Sequence, residues 1–232
     1  MTDHILKRFD EDLQRLTGVI LQMGDSAASQ LESALSALER RDSIAAKEVI
    51  AADHAIDVLE HGIGHDVVRL LALHQPLARD LREVLAALRI ASDIERIGDY
   101  AANAAKRSIA LNDTPVIAPV PGLTALANLA GEMLRTVLIA YRDRDGERAL
   151  AVRARDAELD AMYTSLFREL LTYMAEDPRS ISSSIHVLFI AKNLERVGDH
   201  ATNIAENIWF ILHGEPPSVA REKRDFTTSP AS

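Results

Sequence analysis

One stretch of this chain occurs twice. Leu88 to Ile109 reads LRIASDIERIGDYAANAAKRSI and Leu188 to Trp209 reads LFIAKNLERVGDHATNIAENIW, with ten of 22 positions identical at an offset of 100. A second, weaker match at an offset of 103 places Asp53 and Asp57 on Asp156 and Asp160. Repetition at so long a period means that one supersecondary unit has been copied and that the copies bury a core together. The fold therefore has to be built from two versions of a single unit.

The unit is helical. Apolar residues recur at three- and four-residue spacing almost throughout, and no segment alternates as a strand does. The composition agrees: 47% of the residues are hydrophobic but only 4% aromatic. The core is then filled by Leu, Ile, Val and Ala, a choice suited to close-packed helices. The spacing predicts a first helix over Asp3–Arg41, with Gly18 and Gly24 as weak points. A second runs from a cap at Asp42 or Ser43 to His74, where Gln75-Pro76 breaks it. A third follows to Leu111. The segment Asn112–Gly122, with three prolines in NDTPVIAPVPG, reads as a linker. The fourth helix covers Leu123–Arg142, the fifth Glu147–Ala175, and the sixth runs to Leu212 after the EDPRS turn. The expectation is an all-α fold of two tandem, pseudo-repeated three-helix bundles, six helices in all. Its parts are 1–111, a linker at 112–122, 123–212 and a polar, disordered tail at 213–232.

Charge and composition exclude several classes. The net charge of −9 argues against sequence-independent binding of nucleic acid, which needs a basic surface. With no cysteine there is neither a disulfide nor a thiolate metal site. The first residues are charged, and no apolar run approaches the ~20 residues of a membrane span, so the expected location is cytoplasmic.

The chemistry sits on the repeated helices. At about 100° per residue, Ile90, Ile94, Ile97 and Ala101 form one stripe, and Glu95, Asp99 and Asn103 form another, roughly opposite. Glu195, Asp199 and Asn203 repeat that ridge. Asp53 and Asp57, and in the second copy Asp156 and Asp160, lie at the edge of the apolar stripes of the second and fifth helices. If each of those helices packs antiparallel to the acidic ridge that follows it, four carboxylates and an amide converge in each repeat. Carboxylates that close repel and do not all stay ionised without a cation. Oxygen-only clusters suit hard or borderline cations such as magnesium, manganese, calcium, zinc or iron.

Plainer readings exist for each feature. A single Glu-x-x-x-Asp on a helix is common, duplication copies surface residues as faithfully as ligands, and Arg96 and Arg196 can pair with the neighbouring acids. Gly98 and Gly198, in mid-helix, are read as sites of close packing. Asp57, His61 and His65 share a ridge at zinc-compatible spacing in the first repeat only, and histidines so placed are more often plain surface residues.

The two motifs, SDIERIGD and KNLERVGD, within QPLARDLREVLAALRIASDIERIGDYAANAA and EDPRSISSSIHVLFIAKNLERVGDHATNIAE, resemble the signatures of the PhoU family of phosphate-transport accessory proteins. The likeness covers the chain to about Glu215. It implies two three-helix bundles with metal clusters, one at Asp53, Asp57, Glu95 and Asp99 beside Asn103, the other at Asp156, Asp160, Glu195 and Asp199 beside Asn203. Asp93 faces Asn193 in the alignment of the repeats, so no essential role in a duplicated site is expected of it. The resemblance leaves the metal open among iron, zinc, manganese and magnesium. It implies a non-enzymatic, homodimeric negative regulator of the phosphate-starvation response, linking the ATPase subunit of the phosphate ABC transporter to a sensor histidine kinase. A metal-binding scaffold or chaperone with no phosphate role is the alternative. A di-metal oxidase is disfavoured because Gly98 and Gly198 stand where Glu-x-x-His ligation needs histidine.

Overall fold

The computed structural model describes residues 2–114 and 121–218, which form six α-helices, one short 3-10 turn and no strand. The helices are α1 (Thr2–Glu39), α2 (Ser43–His74), α3 (Ala78–Asn112), α4 (Pro121–Asp143), α5 (Gly146–Glu176) and α6 (Ile181–His213). The turn, Pro178–Ser180, precedes α6.

The ends of the helices have local causes. Asp42 caps α2, its carboxylate accepting from the amides of Ile44 and Ala45, both at 3.0 Å. Asp145 does the same for α5 through the Arg148 amide. Gln75, left-handed at φ 46°, ends α2 ahead of Pro76. The first helix stops two residues earlier than expected, because Arg41 also turns left-handed, at φ 53°. It runs unbroken through Gly18 and Gly24. Both helices that flank the expected linker reach into its bounds: Asn112 closes α3 and Pro121 opens α4. Residues 115–120 lie outside the described residues. The sixth helix runs one residue past its expected end at Leu212, since His213 is still helical and Gly214, at φ 83°, ends α6. Residues 219–232 lie outside the described residues.

Among the described residues, α2 packs only on α1 and α3, and α5 only on α4, α6 and the 3-10 turn. The four remaining helices form the middle of the molecule, α3 against α6 and α1 against α4. Contacts across the α3–α6 seam run in opposite senses along the two helices. Asp93 meets His200 and Asn203, Tyr100 meets His200, and Arg107 lies over the Phe189 ring at 3.9 Å. The helices are thus antiparallel, and the repeats face each other across a pseudo-twofold axis. Alanine makes the close approach possible: Ala101, Ala102, Ala104 and Ala105 on α3 and Ala201 and Ala205 on α6 are all buried.

One expectation needs correcting. By length and composition, Gly122–Asp143 is apolar enough to cross a membrane, at 22 residues and a mean hydropathy of 1.3. Its composition has a simpler cause in the packing. Leu126, Leu129, Ala130, Met133, Leu134, Val137 and Leu138 are buried in the core, so α4 is apolar on nearly every side that meets another helix.

Candidate functional site

The two acidic ridges face their partner helices. In the first repeat, α2 runs antiparallel to α3, which brings Asp53 toward Asp99 and Asp57 toward Glu95. The carboxyl of Glu95 is pushed up by burial first, then by the like charge of Asp99, against the pull of Arg96, with Asp57 and Glu60 adding further repulsion. Asp53 is likewise raised by burial and by Asp99 and Asp57, while a hydrogen bond from Gln30 Nε2 at 3.2 Å opposes the rise. Gln30 is itself buried and reaches this position from α1, also donating to the Val49 carbonyl at 3.1 Å. Arg96 folds over the outside, 2.9 Å from Asp99 and 3.4 Å from Glu95, as one of the plainer readings anticipates.

The second repeat holds its acids deeper. Asp156, Asp160 and Glu195 are 1%, 3% and 4% exposed. Thr202 donates to Asp156 at 3.4 Å, and Lys192 Nζ stands 2.9 Å from Glu195 Oε1. Burial raises the carboxyl of Glu195 most; Lys192 opposes it, and Asp199 and Asp160 add to it. Glu195 Oε2 and the hydroxyl of Thr164, one turn beyond Asp160, are each buried with no hydrogen-bond partner. An orphaned carboxylate oxygen next to two further acids fits a bound cation, because a buried anionic oxygen without a donor is costly. Among the described residues, no three His, Cys, Asp or Glu side chains are drawn in to metal-coordinating spacing. The helices bring the predicted acids into electrostatic range of one another without closing a ligand shell.

The amides behave differently from the acids. Asn103 is exposed, and Asn203 turns away from its ridge to donate to Asp93 Oδ1 at 3.2 Å across the seam. His61 and His65 are exposed, and His61 Nδ1 lies 2.8 Å from the carbonyl of Asp57 on its own helix, which favours the plainer reading of that pair.

Asp93, which comparison of the repeats set apart from the duplicated site, lies at the seam between the repeats. His200 Nδ1 lies 2.7 Å from its Oδ1, and the Tyr100 ring lies beside the imidazole, centroids 5.6 Å apart. At the matching place in the other repeat stands Asn193, so the Asp93–His200 contact has no counterpart across the axis. The mismatch at this one position was the available signal.

Comparison with known proteins settles the lineage. The family model described as "PhoU domain" matches residues 20–108 and again 123–208. The chain belongs to the PhoU family. It is 57% identical over 226 residues to a phosphate-specific transport system accessory protein PhoU homolog of Xylella fastidiosa, covering 97% of this chain and 95% of that one. A PhoU homolog of the same description from Rhizobium meliloti is 46% identical, with 97% and 96% covered. The crystal structure of PhoU from Pseudomonas aeruginosa superposes with a TM-score of 0.86 at 35% identity, over 89% of this chain and all of that one. PhoU from Streptococcus pneumoniae, described as a phosphate transport system regulatory protein, gives 0.85 at 30% identity, over 91% of this chain and 100% of that one. The repeat read from the sequence is thus a repeat of the PhoU domain.

Proposed function

We propose that this chain is a non-enzymatic, cytoplasmic adaptor that holds the phosphate-starvation response off when phosphate is plentiful. It would do so as a homodimer, by linking the ATPase subunit of a phosphate ABC transporter to a sensor histidine kinase. The observation that carries the reading is the 57% identity, end to end, to a protein described as a phosphate-specific transport system accessory protein. The site is compatible with an adaptor: its polar groups are carboxylates on rigid helices, and neither motif offers a histidine at the spacing that di-metal oxidation requires.

In this reading each acidic face holds a metal ion, drawn from iron, zinc, manganese or magnesium. The ligands would be Asp53, Asp57, Glu95 and Asp99 in one repeat and Asp156, Asp160, Glu195 and Asp199 in the other. A bound cation would neutralise the facing carboxylates and pin α2 to α3 and α5 to α6. Support comes from the like-charge repulsion around Glu95 and Glu195 and from the orphaned oxygen of Glu195.

The test is a starvation-regulon reporter in phosphate-replete cells, comparing a deletion, the restored chain and the Glu95→Ala/Asp99→Ala/Glu195→Ala/Asp199→Ala variant. Deletion is expected to switch the reporter on and the restored chain to silence it. A reporter that stays off in the deletion strain would discard the phosphate reading and favour a metal-binding scaffold. If the quadruple variant folds and still represses fully, the acidic faces have no part in the signal.

A further inference from the structure

The two clusters are not chemically equivalent, although duplication made them. In the second repeat Lys192 stands one turn ahead of Glu195 on the same ridge, its ammonium 2.9 Å from Oε1. The ammonium is also seated over the Tyr163 ring, 4.9 Å from the centroid, an arrangement that favours a cation at that place. At the corresponding offsets, 100 and 103, the first repeat has Ser92 in place of Lys192 and Glu60 in place of Tyr163. Where one repeat carries a cation on an aromatic cradle, the other carries a hydroxyl and an additional acid.

The charge balance follows. The first cluster brings together Asp53, Asp57, Glu60, Glu95 and Asp99, opposed by Arg96 and, at Asp53, by Lys106. That guanidinium is 54% exposed, and surface pairs of this kind hold by roughly 0–1 kcal/mol, so an incoming cation displaces it readily. The second cluster brings together Asp156, Asp160, Glu195 and Asp199, opposed by Lys192 bound to a carboxylate whose side chain is only 5% exposed. Even so, Glu195 Oε2 stays buried without a partner. The position therefore still accepts a cation, but a divalent ion has to share the carboxylates with an ammonium already in place.

We propose that Lys192, held by Tyr163, is a built-in counter-cation that weakens divalent-ion uptake by the second repeat, leaving the first repeat as the tighter site. The inference rests on the metal reading above and sets an order of occupancy within it: the first cluster fills before the second.

The experiment is manganese binding to the metal-stripped full chain, followed by titration calorimetry and by the rise in melting temperature on adding Mn²⁺. Two classes of site are expected, the tighter lost in Glu95→Ala/Asp99→Ala and the weaker in Glu195→Ala/Asp199→Ala. Lys192→Met should tighten the weaker class by at least ~10-fold, since it removes a unit charge a few ångströms from the ligands, and leave the tighter class unmoved. Ser92→Lys, which leaves the second repeat untouched, should weaken the tighter class and keeps the test open if Lys192→Met fails to fold. Equal affinities in the wild type, or a second class that Lys192→Met does not change, would overturn the counter-cation. No manganese binding by any variant would instead remove the metal reading, and this inference with it.

Discussion

Gly198 and Gly18 both sit in the middle of long helices, and the structure predicts opposite outcomes when each becomes alanine. Helix propensity alone favours alanine over glycine by about 1 kcal/mol at either position. At Gly18 nothing lies within 4 Å of an added Cβ, so the whole of that gain should appear as stability. At Gly198 the added carbon would overlap Leu159 Cδ2, with Leu159 Cγ at 3.5 Å and Met133 Cε at 3.6 Å. Both of those side chains are completely buried, so neither can swing into solvent. Forcing a methyl group into a packed core costs about 1–3 kcal/mol, which offsets the propensity gain and leaves a net loss of roughly 1 kcal/mol. The two variants should therefore differ by roughly 2 kcal/mol. For a chain of this size that is a separation of about 4–8 °C in melting temperature. Thermal unfolding of the two variants beside wild type, followed by circular dichroism, measures it. If Gly198→Ala melts as high as Gly18→Ala, α6 does not depend on a bare backbone to approach α5, and the close-packing account of the repeated glycine is wrong.

Asp42→Ala removes both side-chain bonds to the first amides of α2 and should lower stability by about 1 kcal/mol in urea unfolding. Asp93→Asn matches the residue at Asn193 and takes the carboxylate from His200; a loss of roughly 1–3 kcal/mol is expected, and a neutral result would mean that the Asp93–His200 hydrogen bond is dispensable. Glu83, buried between the bundles and paired with Arg144, has its carboxyl raised above the ordinary glutamate value of 4.5 mainly by burial. A raised folded-state value means that the native state holds the proton more tightly than the unfolded chain does. Wild-type stability should accordingly fall, relative to Glu83→Gln, as the pH rises from about 4.5 through the folded-state value. Urea unfolding of both proteins between pH 4 and pH 8 reads that difference, and parallel curves would contradict it.

How much of this could be read from the sequence divides along physical lines. Helix identity and the antiparallel meeting of the acids came from local periodicity. Ile90, Ile94 and Ile97 can only be buried together if Glu95 and Asp99 point elsewhere, and the cap at Asp42 needs nothing beyond the next three residues. The features that escaped depend on contacts between distant segments. Gln30 enters beneath Asp53 from α1, and Asn203 leaves its own ridge for Asp93 on the other repeat. No spacing rule within one helix encodes either.

Asp93 shows what alignment of the copies leaves out. Comparing repeats identifies what both copies share, so an acid present once looks expendable. Two copies related by an axis also touch each other, however, and at that contact a residue meets the other copy rather than its own equivalent. With identical copies, Tyr100 would stand beside a second tyrosine, and Asp93 beside that same tyrosine and Asn203. Divergence to His200 puts a histidine against Asp93, next to the shared amide of Asn203, while Asn193 leaves no acid at the matching place. The same logic holds for Lys192 and Tyr163 against Ser92 and Glu60, where both changes are visible only after the offsets of 100 and 103 are applied together. The shared residues of a duplicated fold thus describe the scaffold and its paired acids. The positions at which the copies disagree carry what distinguishes one half of the molecule from the other, and in this chain they cluster at the seam and at the edge of one acidic face.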